Sequence, residues 1–133
     1  MSGFLYVSSS ADGSNGLTAD AFNAWYNNKH IPELLQVPGL RSAFRYENAN
    51  PEAKPKFLCL YPLKSLATLA SPELAQVSNV DEKTFPGPSH DAKDFAELGM
   101  RVYAHLQSYE PVKKSGMFVV PGSWFRVGVG APW

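Results

Sequence analysis

The chain has 133 residues, of which 44% are hydrophobic and 18% charged, and its formal net charge is zero; this length predicts a single domain. The balanced charge disfavours nucleic acid and anionic membrane surfaces as partners, because proteins that bind them carry a surplus of basic residues. No apolar stretch approaches the roughly 18 residues that span a bilayer, and the lone cysteine, Cys59, excludes an intrachain disulfide, so the sequence predicts a soluble, cytoplasmic protein.

The first part of the chain predicts a strand followed by an amphipathic helix. A near-continuous apolar run predicts the strand over residues 4–8. Phe22, Tyr26 and His30 follow at intervals of four residues, so they share one face of the helix. Pro32 is expected to end this helix at His30 and to open a short further turn, because proline lacks an N–H and disfavours helical angles at the preceding residue.

Two strands are predicted next, over residues 40–47 and 56–63. A short polar loop joins them and favours antiparallel pairing. Residues of the first strand alternate, so that one side is mostly apolar, with Phe44 and Tyr46, and the other mostly charged. Which side faces the helices stays open.

The remaining chain predicts two short helices and a last strand. Ser71 is the expected N-cap of the first helix, with a proline directly after it. Ser89 is expected to cap an extra helix that stops at Gly99. The last strand is predicted over residues 100–109, where apolar and polar residues alternate.

This order of elements predicts an α+β fold of the ferredoxin-like type, βαββαβ, with a four-stranded antiparallel sheet and helices on one face. Residues 1–110 are expected to form this body. Residues 111–133 contain large aromatic side chains and are expected to form a C-terminal extension that packs on the body or on a second subunit.

The stretch WYNNKHIPELLQVPGLRSAFRYE, residues 25–47, resembles the dimeric α+β barrel superfamily and, within it, the EthD-like proteins. Members commonly show a helix ending W-Y-x-x-x-H-[IV]-P, a Pro-Gly turn and a strand that ends in arginine, tyrosine and glutamate. The resemblance implies a homodimer with two sheets packed face to face, and a ligand cavity between sheet and helices. Relatives include cofactor-free cyclases, isomerases, dehydratases, decarboxylases and oxygenases, whereas others bind haem and some have no known activity.

His30 is the leading candidate for catalysis, because imidazole titrates near neutral pH and this one lies on an apolar helix face. The resemblance implies an acid or base at this position, with a tyrosine or second histidine opposite it. The alternative is a histidine that only caps the helix end. Tyr46 and His105 complete the predicted catalytic set, since a phenolic hydroxyl can stabilise an enolate. The predicted substrate-binding residues are Phe22, Tyr26, Phe44, His90 and Tyr103.

Two further observations limit the chemistry. The three histidines are dispersed, and without HxH, HxxxH or CxxC spacing no metal site is predicted. Cys59 lies in a predicted strand without a basic neighbour, which is typical of an inert thiol.

His105 shares a strand face with Tyr103. This polar stripe either lines the cavity or meets the dimer partner.

Taken together with the resemblance to the EthD-like proteins, the residues predict a cofactor-independent, homodimeric enzyme of lyase or isomerase type. Its substrate would be a small, hydrophobic, phenolic or polyketide-like aromatic molecule that is cyclised, dehydrated or decarboxylated, with His30 as general acid or base. Two alternatives stay open: a cofactor-free oxygenase of an electron-rich aromatic, and a binding protein without turnover. Haem ligation by His30 or His105 also stays open.

Overall fold

The architecture comes from a computed structural model, which describes residues 1–11, 13, 15–111, 122–123 and 125–126. The main sheet contains β1 (Gly3–Ser10), β2 (Phe44–Glu47), β3 (Phe57–Leu63) and β4 (Glu97–Ala104). The strands lie in the order β2-β3-β1-β4, and every neighbouring pair is antiparallel. The predicted four-stranded α+β sheet of the ferredoxin-like type is therefore confirmed.

The helical segment after β1 runs without a break through the motif around His30. It consists of α1 (Ala19–Trp25), a π-helical turn (Tyr26–His30) and α2 (Ile31–Leu34). The predicted helix end at His30 is wrong, because Ile31 keeps helical angles of φ −62° and ψ −47°. Its N–H bonds to the carbonyl of Tyr26, five residues earlier, and this wider turn relieves the contact between the Pro32 ring and the preceding turn.

The second helical region is shorter than the sequence predicts. A 3₁₀ turn (Leu66–Ala70) leads into α3 (Pro72–Ala75). Ser71 caps α3 as predicted, since its hydroxyl accepts a hydrogen bond from the Leu74 N–H at 3.2 Å.

None of the helices in the described part of the chain has the length and apolarity that crossing a membrane requires.

The extra helix predicted between Ser89 and Gly99 is absent from the structure. Only a 3₁₀ turn (Ala92–Asp94) forms there, capped by Asp91, and β4 already begins at Glu97. Gly99 lies in β4 opposite Ser8, where a Cβ atom would approach the Ser8 Oγ to 2.8 Å. This glycine therefore allows two strands to approach each other and does not stop a helix.

The strand ends also differ from the predicted ones. The second strand begins at Phe44, and residue Leu40 makes only an isolated bridge to Leu63. The last strand lies at Glu97–Ala104, three residues earlier than predicted at its start. Gly39, at the predicted Pro-Gly turn, has a φ of +97°, a conformation that favours glycine.

One face of the sheet packs against the helices and forms the core. Its largest fully buried side chains include Phe22, Tyr61 and Phe85. The opposite face has no covering layer among the described residues and carries Phe44 and Tyr46, which are 49% and 53% exposed. In β2 it is thus the charged side, with Arg45, that faces the helices.

The C-terminal part of the chain is described only at β5 (Gly122–Ser123) and β6 (Phe125–Arg126), which pair in a separate two-stranded sheet. The other residues after Pro111 lie outside the described residues. The division into a body of residues 1–110 and an extension of residues 111–133, and the packing of that extension, stay predictions.

Candidate active site

A cavity of about 350 Å³ lies between the sheet and the helical layer. This volume falls in the range of small-molecule sites, roughly 300–1,000 Å³. Its walls are mostly apolar and include Leu5, Val7, Leu34, Met100 and Val102. Four polar side chains face it: Tyr26, His30, Tyr61 and Asn79.

Other hollows on the described surface have a different character. One is lined by Ser10, Asn15, Lys54, Lys93, Asp94 and Glu97 together with two apolar residues. Another lies beside Glu33, Glu73 and Gln76. Neither borders His30, and neither has a predominantly apolar wall, so the cavity at His30 is the candidate active site.

The imidazole of His30 is held by aromatic rings in the π-helical turn. It stacks on Trp25, with ring centroids 4.6 Å apart and planes 18° apart, and it meets Tyr26 edge-on at 5.3 Å. Residues five apart in an α-helix point about 140° away from each other, since each residue turns by about 100°. The π turn, with hydrogen bonds five residues long, brings such residues over one another and so explains the stacking of His30 on Trp25.

The Nδ1 atom of His30 is buried and has no hydrogen-bond partner among the described residues. Burial lowers the pKa of His30 from 6.5 to about 4, because a low-dielectric environment disfavours the charged imidazolium. At neutral pH the ring is therefore uncharged. A neutral imidazole has one nitrogen that can accept a proton, which is the property of a general base.

Two tyrosine hydroxyls meet in the same cavity. The Tyr61 hydroxyl donates to that of Tyr26 at 3.4 Å, and both side chains are buried. Burial raises the pKa of Tyr26 to about 12, and burial likewise raises the pKa of Tyr61. Both phenols therefore keep their protons at neutral pH. Since Tyr61 donates to Tyr26, the O–H of Tyr26 is left to donate either to the neighbouring Cys59 sulfur or to a ligand oxygen.

Of the predicted site residues, the structure brings only His30 and Tyr26 together at this cavity. Phe22 lies in the core, fully buried, where its ring contacts those of Trp25 and Tyr26. It supports the cavity wall from behind and is not among the residues that line the cavity.

Three other predicted residues lie on the uncovered face of the sheet. Tyr46 and Phe44 point there because Arg45, between them, points to the helices. Tyr103 is 44% exposed on the same face, next to Phe4 and Tyr6. In the subunit the sheet separates this group from His30, so the predicted pairing of Tyr46 with His30 does not occur.

The remaining two histidines also lie away from the cavity. His105 follows β4, is exposed, and its Nε2 lies 2.7 Å from the Ser108 hydroxyl. His90 has a φ of 51° in the loop before Asp91, and its Nδ1 lies 2.7 Å from the Phe85 carbonyl oxygen. Neither imidazole is placed to join His30 in catalysis.

Two polar side chains of the cavity were missed by sequence reasoning. Tyr61 lies in FLCLYPL, where apolar residues fill both faces of the strand, so alternation does not reveal which of them face the helices. Asn79 lies in an irregular loop, where no sequence pattern indicates that its side chain lines the cavity.

In the described part of the chain, no group of three or more His, Cys, Asp or Glu side chains could hold a metal ion.

The buried imidazole predicts that acid weakens the fold. Between pH 6.5 and about 4 the unfolded chain binds a proton at His30 that the folded chain does not, so stability is full above this window and falls as pH drops through it. The loss is at most about 3 kcal/mol, and smaller where solvent enters the cavity. The polar side chains that line the cavity together with the imidazole are Tyr26, Tyr61 and Asn79, and none of them carries a compensating negative charge.

Urea unfolding of the wild type and of His30→Leu, at neutral pH and near pH 4, measures this effect. We expect His30→Leu to lose less stability on acidification than the wild type. The matched control is His105→Leu, which changes an exposed histidine and is expected to keep the wild-type loss. Equal losses in the wild type and His30→Leu would show that the imidazole is not the source.

The chain was compared with family models, with solved structures and with curated proteins. A solved structure supports the fold, and a curated protein shows a partial sequence match. No protein-family model matches the chain. Among solved structures it is similar to an ethyl tert-butyl ether D (EthD) family protein from Bacillus halodurans, with a TM-score of 0.55, 20% identity, and coverage of 80% of this chain and all of the other. The chain therefore has an EthD-like fold.

Among curated proteins, 52 residues are 43% identical to core atranone cluster protein 1 of Stachybotrys chlorohalonatus. This match covers 39% of the present chain and 22% of that protein. The chain thus matches less than a quarter of the length of this relative.

Proposed function

We propose that this protein, which has an EthD-like fold, is an enzyme of lyase or isomerase type that acts on a small molecule. It needs no cofactor and uses the neutral imidazole of His30 as its general base. The observation that carries the proposal is the uncharged imidazole of His30 among the lining residues of a mostly apolar cavity of about 350 Å³.

In the proposed reaction, His30 takes a proton from a carbon next to a carbonyl group of the substrate. The electron pair of the broken C–H bond moves to the carbonyl oxygen and forms an enolate, to which the Tyr26 hydroxyl donates a hydrogen bond. In a dehydration the enolate reforms the carbonyl and expels a hydroxyl group, which leaves as water with the proton from His30. In a cyclisation the enolate carbon attacks a second carbonyl, and the new alkoxide takes that proton.

The low pKa of His30 in the free protein is compatible with this role. The developing enolate is an anion beside the new imidazolium, and an opposite charge nearby favours the charged form of a base. The substrate therefore raises the pKa of His30 at the stage at which the ring must hold a proton. In the free protein the same ring stays uncharged and ready to accept one.

The cavity also favours uncharged substrates. No lysine or arginine is among its described lining residues, and an unpaired carboxylate in an apolar site costs several kcal/mol. Cyclisation or dehydration of an uncharged phenolic or polyketide-like molecule therefore suits the cavity better than decarboxylation of an acid. The name of the atranone-cluster relative supports a place in the chemistry of a secondary metabolite.

We also propose that the chain acts as a homodimer in which the uncovered faces of two sheets pack together. The support is the set of partly exposed rings on that face, Phe4, Phe44, Tyr46 and Tyr103. Apolar area of this kind on a soluble protein marks an interaction surface.

A panel of uncharged hydroxyaryl and β-dicarbonyl compounds, each paired with a carboxylated analogue, tests the proposal. We expect loss of water or isomerisation of at least one uncharged compound, detected by mass spectrometry, without oxygen uptake. The carboxylated partner should bind at least about a hundredfold more weakly, because it buries an unpaired charge.

Other results of the same panel would contradict the proposal. Oxygen uptake that matches product formation would identify an oxygenase. Tight binding of panel compounds that are all recovered unchanged would identify a binding protein.

A further inference from the structure

We infer that Arg45 is a positioning residue that acts on the cavity through Tyr26. The guanidinium of Arg45 contacts the Tyr26 ring and strengthens the hydrogen bond that the Tyr26 hydroxyl donates to a phenolate or enolate oxygen. The inference deepens the proposed function and rests on its assignment of the cavity as a site for phenolic or enolic molecules.

The guanidinium of Arg45 is fixed against one face of the Tyr26 ring. It reaches from β2 to the helical segment, where Nη1 donates to Asn27 Oδ1 at 2.7 Å and Nη2 donates to Asn23 Oδ1 at 2.8 Å. These bonds hold Cζ 4.3 Å from the centre of the Tyr26 ring. A cation in this position is attracted by the negative face of the ring.

The charge of Arg45 is not neutralised by its surroundings. Both acceptors are uncharged amide oxygens, and among the described residues no carboxylate lies within ion-pair distance of the guanidinium. Glu47, two residues along the same strand, pairs instead with Lys56 at 3.3 Å. The Nε atom of Arg45 is buried and has no partner among the described residues.

The hydrogen bonds and the ring contact hold Arg45 inward, but the hydrogen bonds by themselves do not require a charged side chain. A side chain that only joins β2 to α1 needs hydrogen bonds, which an uncharged residue can supply without the cost of a partly buried cation. The cation becomes useful if negative charge develops next to the Tyr26 hydroxyl. This hydroxyl is at the edge of the ring that the guanidinium covers, and Tyr26 lines the cavity.

Burial and the charge of Arg45 have opposite effects on the pKa of Tyr26. Burial raises the pKa of Tyr26, whereas the charge of Arg45 acts to lower it. A phenol next to a cation shares more of its proton with an acceptor, so its hydrogen bond to an oxyanion is stronger. Arg45 thereby supplies positive charge to a cavity whose described lining contains none.

Binding of 4-nitrophenol tests this inference without any turnover, because the absorbance of this probe reports whether it is ionised. We expect Arg45→Gln, which keeps an amide for hydrogen bonding but removes the charge, to raise the apparent pKa of the bound probe by about one unit, a tenfold fall in the ratio of bound phenolate to bound phenol. Arg45→Lys should restore most of the shift. The control Arg41→Gln, at an exposed arginine four residues earlier, should leave the pKa of the probe unchanged.

The route through Tyr26 is tested by a double-mutant cycle. In a Tyr26→Phe background, Arg45→Gln should change the pKa of the bound probe much less than in the wild type. An equal change in both backgrounds would show that Arg45 acts directly on the ligand and would overturn the inference. So would an unchanged pKa in Arg45→Gln, or loss of folding in both Arg45 variants.

The outcomes separate the inference from the function on which it rests. A wild type that does not bind 4-nitrophenol would contradict the assignment of the cavity, and the inference with it. A wild type that binds the probe, with Arg45→Gln indistinguishable from it, contradicts the inference alone.

Discussion

Replacement of His30 by glutamine is expected to lower kcat at least about a hundredfold on a substrate found with the compound panel. Glutamine has a similar reach and keeps hydrogen-bonding atoms, but it cannot take a proton at neutral pH. General acid–base catalysis typically contributes 10²–10⁴ in rate, or about 3–5 kcal/mol of barrier. KM should change little, because the apolar wall that binds the substrate is unaffected.

The pH profile gives a second readout of the same group. A base with a pKa of about 4 in the free protein predicts a kcat/KM that stays constant from neutral pH into mild acid and falls only near that value. In His30→Gln the fall should disappear along with most of the activity. A wild-type kcat/KM that already falls near pH 6.5, the ordinary imidazole pKa, would show that the base is a solvated histidine.

His90→Gln and His105→Gln are the matched controls for this experiment. Both imidazoles already have a hydrogen-bond partner and lie away from the cavity. Each variant should retain wild-type kcat. If His30→Gln stays within about threefold of the wild type, less than 1 kcal/mol of barrier, the catalytic role of His30 is excluded.

The inner position of His30 was readable from the sequence, whereas its contacts were not. Intervals of four residues from Phe22 through Tyr26 place His30 on the apolar face of any helix. The stacking on Trp25 depends on the π turn, which widens the helix just before Pro32. No local pattern distinguishes such a turn from a helix that ends at the proline.

The sequence did not reveal which side of β2 faces the helices, and the reason is a different one. Alternation separates Phe44 and Tyr46 from Arg45, but the rule that apolar residues face the core would turn the strand the wrong way. Arg45 faces inward because its planar group stacks on the Tyr26 ring and finds two amide acceptors on α1 and the π turn. Such tertiary partners outweigh the simple pattern.

The region after residue 90 shows how one pattern fits two structures. Ala92, Phe95 and Leu98 are spaced by three residues, as on one helix face, and Gly99 then resembles a helix stop. In the structure Leu98 belongs to β4 and lines the cavity together with Met100. Pairing of this strand with β1 decides the outcome, and such a long-range contact is not visible in a local window of sequence.

Replacement of Phe44 by glutamate is expected to convert a homodimer into monomers. Phe44 lies on the uncovered face of the sheet, half exposed in the subunit and close to Tyr46, where two packed sheets would enclose it in an apolar layer. Two-fold symmetry would place the new carboxylate in the interface twice. Since each unpaired buried charge costs several kcal/mol, the dissociation constant should rise by more than about a thousandfold.

Sedimentation or light scattering across a micromolar dilution series measures this change. The matched control is Leu35→Glu, because Leu35 is an exposed apolar residue (37%) at the end of α2, on the helical side of the subunit. It should remain dimeric and should exclude a general effect of an added charge. A wild type that is monomeric throughout the series, or a Phe44→Glu variant that stays dimeric, would contradict face-to-face packing. Circular dichroism should show a folded subunit in both variants, because both side chains already contact solvent.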